Sequence, residues 1–186
     1  MPRIFWVILP AMLAVWLAMN LWSVPKIEEM SGGLRLLDTR FTGYSFAEAQ
    51  NFLAALGEEG TAIYLGPQLW LDMVFPPLLG TVLFLSYRWL FPGLPGLIIG
   101  TASLTSVGID YLENMALSVM LRAGPDAMTS DMAAMANQWT VTKWSLALVG
   151  LLTLVVGIVL RLRERLKRFA SKTKIRIDIG RPFERH

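Results

Sequence analysis

The chain has 186 residues, of which 54% are hydrophobic and 17% charged, and its formal net charge is +3. Its mean hydropathy of +0.50 excludes an ordinary soluble enzyme, a secreted disulfide-rich domain and a typical nucleic-acid-binding domain. There is no cysteine, and the single histidine is the last residue, His186. Disulfide, thiolate and imidazole chemistry inside the fold is therefore excluded as well, and we expect neither a resident cofactor nor a metal site.

Four apolar stretches, each long enough to cross a bilayer as a helix, follow one another along the chain. They cover residues 4–22, 69–91, 94–121 and 139–160. Because Arg3 precedes the first stretch, a signal peptide is the alternative interpretation of it. The length of this stretch, its residues Trp6 and Trp16, and the lack of a clear small-residue cleavage site favour a retained span. The sequence thus predicts an all-α integral membrane protein, with a four-transmembrane-helix bundle in residues 1–160.

Positive charge predicts the orientation of these spans. The segment 161–186 holds ten of the 17 Lys and Arg residues, and Arg3 and Arg88 lie at the ends of other spans that face the same side. The loop 24–68 carries more acidic than basic residues. We therefore expect a multi-pass protein of the plasma (inner) membrane with cytoplasmic termini, an extracytoplasmic loop, and a basic tail on the anionic inner leaflet. A nucleic-acid partner is not expected.

The long extracytoplasmic first loop is predicted to contain a short amphipathic helix over residues 45–56. Ser45 and Glu48 have the spacing of a capping box, and Gly57 is a suitable end for a helix. Apolar residues then recur at helical spacing, at Phe46, Ala49, Leu53 and Leu56. This pattern favours a helix lying on the outer membrane surface or over the bundle.

Four ionisable residues lie inside or near the predicted spans: Asp72, Asp110, Glu113 and Lys143. Asp72 and Lys143 follow soon after their helices enter from outside. Asp110 lies ~24 Å along the third helix from its cytoplasmic start, and Glu113 lies ~4–5 Å further. Helices that run in opposite directions therefore bring all four groups to the outer half of the membrane. Asn114 falls on the same broad helix face as Asp110 and Glu113.

This convergence predicts an outer polar pocket in which Lys143 is the counter-charge for Asp110 or Glu113. The pocket would hold a small polar ligand, a lipid headgroup or a partner membrane protein. Two alternatives stay open. In an enzyme acting on a lipid or glycan headgroup, Asp72 and Glu113 would be the acid and base, with Lys143 stabilising negative charge. In the other alternative, the same charges are a structural ion pair that sets helix register.

Aromatic residues occupy the same outer zone of the sequence. They are Trp70, Tyr111, Trp139 and Trp144. Tryptophan and tyrosine are enriched where a membrane meets water, so these residues are interpreted mainly as an interfacial belt.

Overall fold

A computed structural model describes the backbone of residues 1–179 and the side chains of residues 1–168. This part of the chain is helical and contains no strand. We number five helices: α1 (Phe5–Met30), α2 (Phe46–Leu90), α3 (Leu94–Ser103), α4 (Thr105–Ala127) and α5 (Ser130–Ile179). The sequence prediction of an all-helical fold is confirmed.

Two of these helices contain a wider π-helical turn. In α1 the turn Met19–Ser23 joins Phe5–Ala18 to Val24–Met30. In α2 the turn Tyr64–Gln68 joins Phe46–Ile63 to Leu69–Leu90. The segment Leu69–Leu90 contacts all four other helices and forms the centre of the fold.

The amphipathic helix of the first loop is the first part of α2. Ser45 and Glu48 form the predicted capping box, in which the Glu48 N–H donates to the Ser45 hydroxyl and the Ser45 N–H donates to the Glu48 carboxylate, at 2.8 Å. At Gly57 the backbone leaves the helical region, with φ of 65° and ψ of −174°. This conformation is open almost only to glycine, so α2 bends there before it continues towards the central segment.

The hydrophobic core lies at one end of the bundle. We call this end the head and define it as residues 24–68 and 117–136. The amphipathic helix contributes Ala49, Phe52, Leu53 and Leu56, all buried. They pack with residues from α1, the connecting loop, α4 and α5, including Ile27, Leu36, Leu37, Leu117, Met120 and Ala136. The amphipathic helix is therefore part of a packed head that closes one end of the bundle.

Three helices, α1, α2 and α5, are long and apolar enough to cross a membrane. Large apolar side chains are exposed along them, such as Val7 on α1 and Leu148, Val149 and Leu152 on α5. A soluble monomer rarely exposes apolar side chains so extensively. The surface of these helices thus has the composition that a protein presents to lipid.

The third predicted span, 94–121, is divided at Leu104 into α3 and α4. The hydroxyl groups of Ser103, Thr105 and Ser106 each donate to a carbonyl three residues earlier, at 2.7 Å. Such bonds compete with the regular hydrogen bonds of a helix and favour a bend. Helix α3 has only 10 residues, and α4, with 23 residues, is not among the helices apolar enough to cross a membrane. The four-helix count therefore stays a prediction.

The predicted basic tail, 161–186, begins as a continuation of α5, which stays helical to Ile179. Residues 180–186 lie outside the described part of the chain.

Candidate functional site

An ion pair between α4 and α5 is the centre of the candidate site. The Lys143 ammonium contacts the Glu113 carboxylate directly, and its Nζ lies 4.0 Å from Asp110 Oδ1. Asp110 and Glu113 are three residues apart, so they share one face of α4. The Glu113 side chain is 1% exposed, whereas those of Asp110 and Lys143 are 20% and 19% exposed. The Glu113 carboxylate is therefore fully buried, whereas Asp110 and Lys143 are partly accessible to solvent.

Asp72, on the central segment of α2, has its own hydrogen-bond partners. The Gln68 amide donates to the Asp72 carboxylate at 2.8 Å, and the Ser23 hydroxyl of α1 donates to Gln68 Oε1. Asn114 lies on the predicted face of α4, but its amide donates to the backbone carbonyl of Asp72 at 3.3 Å. Asn114 thus joins α4 to α2 without contacting the Asp72 carboxylate.

A fourth carboxyl group, Asp38, completes the site, and the sequence interpretation missed it. Asp38 lies in the short 3-10 turn Leu37–Thr39 of the loop and is buried. Its carboxylate accepts a hydrogen bond from the Tyr64 hydroxyl at 2.8 Å, and its backbone carbonyl accepts one from the Trp144 indole at 2.9 Å. These two bonds hold Asp38 between Tyr64 of α2 and Trp144, the residue next to Lys143 on α5. No motif in the loop distinguishes Asp38 from its exposed acidic neighbours.

We call these five residues the acidic junction: Asp38, Asp72, Asp110, Glu113 and Lys143. The junction lies where the head meets the central part of the bundle. It contains four carboxyl groups and one ammonium group, so a single lysine cannot balance all four carboxylates. Asp38 and Asp72 have only neutral hydrogen-bond donors as partners, so the junction contains more acidic than basic groups.

Tyr44 adds a buried hydroxyl to this site. Its side chain is 7% exposed, and its hydroxyl lies beside the Thr140 hydroxyl and near Glu113. Burial raises the pKa of the Tyr44 phenol well above its usual value, which keeps the group a neutral donor. The Tyr44 hydroxyl is therefore a buried neutral group close to Glu113 of the acidic junction.

The position of Tyr44 depends on the residue before it. Gly43 has φ of 84°, and a Cβ there would lie 2.5 Å from Asn137 Oδ1. The same Asn137 oxygen accepts a hydrogen bond from the Tyr44 N–H at 2.8 Å. Because only glycine leaves room for this contact, Gly43 fixes the loop against α5 and places the Tyr44 ring.

The predicted interfacial aromatics have different environments. Trp70 is 73% exposed, in keeping with a residue at a membrane surface. The Tyr111 hydroxyl donates to the Met73 carbonyl at 3.0 Å and so joins α4 to α2. Trp139 is half-buried, and Trp144 binds the loop at Asp38. Two of the four aromatics therefore tie elements of the site together.

Within residues 1–168, no three histidine or acidic side chains are close enough together to hold a metal ion. No protein-family model, curated protein or solved structure is significantly similar to the chain.

Proposed function

We propose that the chain is a multi-pass protein of the plasma membrane that crosses it four times. Helices α1, α2 and α5 supply three crossings, and α3 with α4 supplies a fourth that is bent at Leu104. The exposed apolar belt supports this arrangement. Because Lys and Arg concentrate in residues 161–186, the positive-inside rule puts both termini in the cytoplasm and the head outside.

The acidic junction is proposed to be a binding site for a ligand that carries an amine or another cationic group. The observation that carries this proposal is the excess of carboxyl groups: Lys143 pairs with Glu113 and Asp110, while Asp38 and Asp72 have only neutral hydrogen-bond donors. At the 4.0 Å that separates Lys143 from Asp110, two opposite unit charges attract by about 4 kcal/mol before desolvation is counted. A ligand cation near Asp110 would gain an attraction of the same kind, and the membrane itself offers such cations as the amines of lipid headgroups.

The partial exposure of Asp110 and Lys143 supports a route to this site from the outer side of the membrane. The Asp110 side chain is 20% exposed and its one ion-pair partner among the described residues is Lys143, so part of the carboxylate is accessible to a ligand. The Tyr44 hydroxyl provides a buried neutral hydrogen-bond group close to Glu113. The site would thus combine partly exposed charged groups, Asp110 and Lys143, with the buried hydrogen-bonding hydroxyl of Tyr44.

The burial of Glu113 helps to decide between the two alternative interpretations, an enzyme and a structural ion pair. A general acid or base must reach its substrate, and a carboxylate that is 1% exposed and paired with Lys143 is poorly placed for that. The enzyme interpretation, with Asp72 and Glu113 as the pair, therefore has less support than binding. The structural interpretation accounts for the pairing of Glu113 and Asp110 with Lys143 but gives Asp38 and Asp72 no counter-charge.

The test uses purified protein in lipid nanodiscs and counts retained lipids by native mass spectrometry. Phosphatidylethanolamine, which carries a primary amine, should be retained more strongly than phosphatidylglycerol at this site. Asp110→Asn should weaken that retention about tenfold, the usual effect of losing a charged hydrogen bond. The matched control Glu58→Gln removes an exposed acidic group of the head and should change little. An equal effect of both variants would contradict the proposal. Displacement by free ethanolamine would identify a soluble amine as the ligand instead of a lipid.

A further inference from the structure

The end of the bundle opposite the head contains a small open cleft between the end of α2 and α5. Its volume is about 60 Å³. Its lining combines apolar and cationic side chains: Trp89, Leu90, Ile158, Arg161, Leu162 and Arg165. The cleft is far from the acidic junction along both helices, so it is a separate feature of the molecule.

Arg161 is held firmly at one side of this cleft. Its guanidinium lies 4.0 Å from the centre of the Trp89 ring, and one of its N–H groups donates to the Trp89 carbonyl. That carbonyl belongs to the last turn of α2, where the backbone has no helical partner. A guanidinium group carries five N–H donors, so this contact fixes its position and leaves donors for a further anion.

Arg165 lies one helical turn beyond Arg161, on the same face of α5. Its side chain is exposed, and among the described residues neither arginine forms an ion pair with an acidic group. Ile158 and Leu162 form the apolar wall beside them. Two cationic groups therefore lie next to an apolar surface, at the end of the helices that our topology places at the inner leaflet.

We propose that this cleft binds an anionic phospholipid of the inner leaflet. The lipid phosphate would lie between Arg161 and Arg165, and the first carbons of an acyl chain would lie along Ile158 and Leu162. Guanidinium groups match phosphate oxygens in geometry, and basic pockets between membrane helices are suited to anionic headgroups. The apolar wall selects a lipid over free phosphate, because inorganic phosphate has no apolar part to bury. This inference rests on the membrane insertion proposed above.

The test compares two single-charge variants of α5. Arg165→Gln removes an arginine of the cleft, whereas the control Arg163→Gln removes an exposed arginine that does not line it. Both proteins lose one positive charge within the same helical turn. Retention of phosphatidylglycerol relative to phosphatidylcholine is measured for each in nanodiscs by native mass spectrometry.

We expect the wild-type protein to prefer phosphatidylglycerol and Arg165→Gln to weaken that preference about fivefold, the usual effect of one basic residue at an anionic leaflet. Arg163→Gln should change it less than twofold. If both variants lost the preference for phosphatidylglycerol equally, the attraction would be a general effect of charge and the specific site would be refuted. A wild-type protein that shows no preference for phosphatidylglycerol would refute it as well. Displacement of the lipid by inorganic phosphate would overturn the choice of a lipid.

Two further readouts separate this inference from the proposed function. Arg165→Gln should leave the thermal unfolding midpoint and the retention of phosphatidylethanolamine unchanged, since the acidic junction is at the other end. Extraction of the protein from membranes by alkaline carbonate would instead refute the membrane insertion on which both proposals rest.

Discussion

Replacement of Lys143 by methionine tests the energetics of the acidic junction. Methionine keeps much of the length of the lysine side chain but removes its charge, so Glu113 is left without its cationic partner. Because the Glu113 side chain is 1% exposed, water cannot replace that partner. Breaking a buried ion pair in this way costs about 3–5 kcal/mol. Asp110 is 20% exposed, and Asp110→Asn should cost only about 1 kcal/mol, as for other partly solvated pairs.

The assay is thermal unfolding of the purified protein in detergent micelles. For a chain of this length, 1 kcal/mol corresponds to a shift of about 2–4 °C in Tm, so Lys143→Met should lower Tm by about 10 °C and Asp110→Asn by a few degrees at most. The double variant Lys143→Met with Glu113→Gln should recover most of the loss, since it leaves no unpaired charge at the buried position, and Asp110, which also loses its partner, is partly solvated. If Lys143→Met lowered Tm no more than Asp110→Asn does, the reasoning from burial would be refuted.

Substitutions of two glycines and one helix-cap residue, with Gly66→Ala as a control, test the local geometry by the same unfolding assay. Gly57→Ala should cost about 1–3 kcal/mol of unfolding free energy, because the backbone conformation there is adopted almost only by glycine. A Cβ would meet open space at both Gly57 and Gly66, but only Gly57 has a positive φ, so Gly66→Ala should be harmless. Equal effects of the two substitutions would contradict the bend at Gly57. Gly43→Ala should also destabilise the protein, and because it displaces Tyr44 it should reduce the retention of phosphatidylethanolamine. Unchanged retention in a folded Gly43→Ala variant would show that Tyr44 is not part of the binding site. Ser45→Ala should cost about 1 kcal/mol through loss of the helix cap, and no loss of Tm would mean that the cap contributes nothing to the stability of the head.

The pairing of Asp110 and Glu113 with Lys143 could be predicted because all three lie on long helices. The rise per residue of a helix converts sequence distance into depth, and opposite chain directions then bring these groups to one level. The same reasoning found the polar face with Asn114, but it could not show that the Asn114 amide binds a backbone carbonyl. Depth specifies a layer of the bundle and leaves the hydrogen-bond partners undetermined.

Asp38 and Tyr44 could not be predicted, because they lie in a loop without a regular rise per residue. Their positions depend on how the loop folds over α5, and that depends on contacts between distant residues such as Tyr44 with Asn137 and Asp38 with Trp144. The position of the amphipathic helix, on the membrane surface or over the bundle, was left open for a related reason. The apolar stripe of the amphipathic helix fits a membrane surface and a protein surface equally well, so the pattern alone cannot choose between them.

The most direct test of the proposed binding site is the accessibility of Asp110 from outside the membrane. Because the chain has no cysteine, the variants Asp110→Cys, Glu113→Cys and Glu58→Cys each carry a single thiol that a membrane-impermeant reagent can label in intact cells. We predict labelling at positions 58 and 110 and protection at position 113 until the protein is unfolded. Protection of position 110 in the folded protein would contradict the account, because the acidic junction would then be a closed ion-pair cluster that no outside ligand reaches.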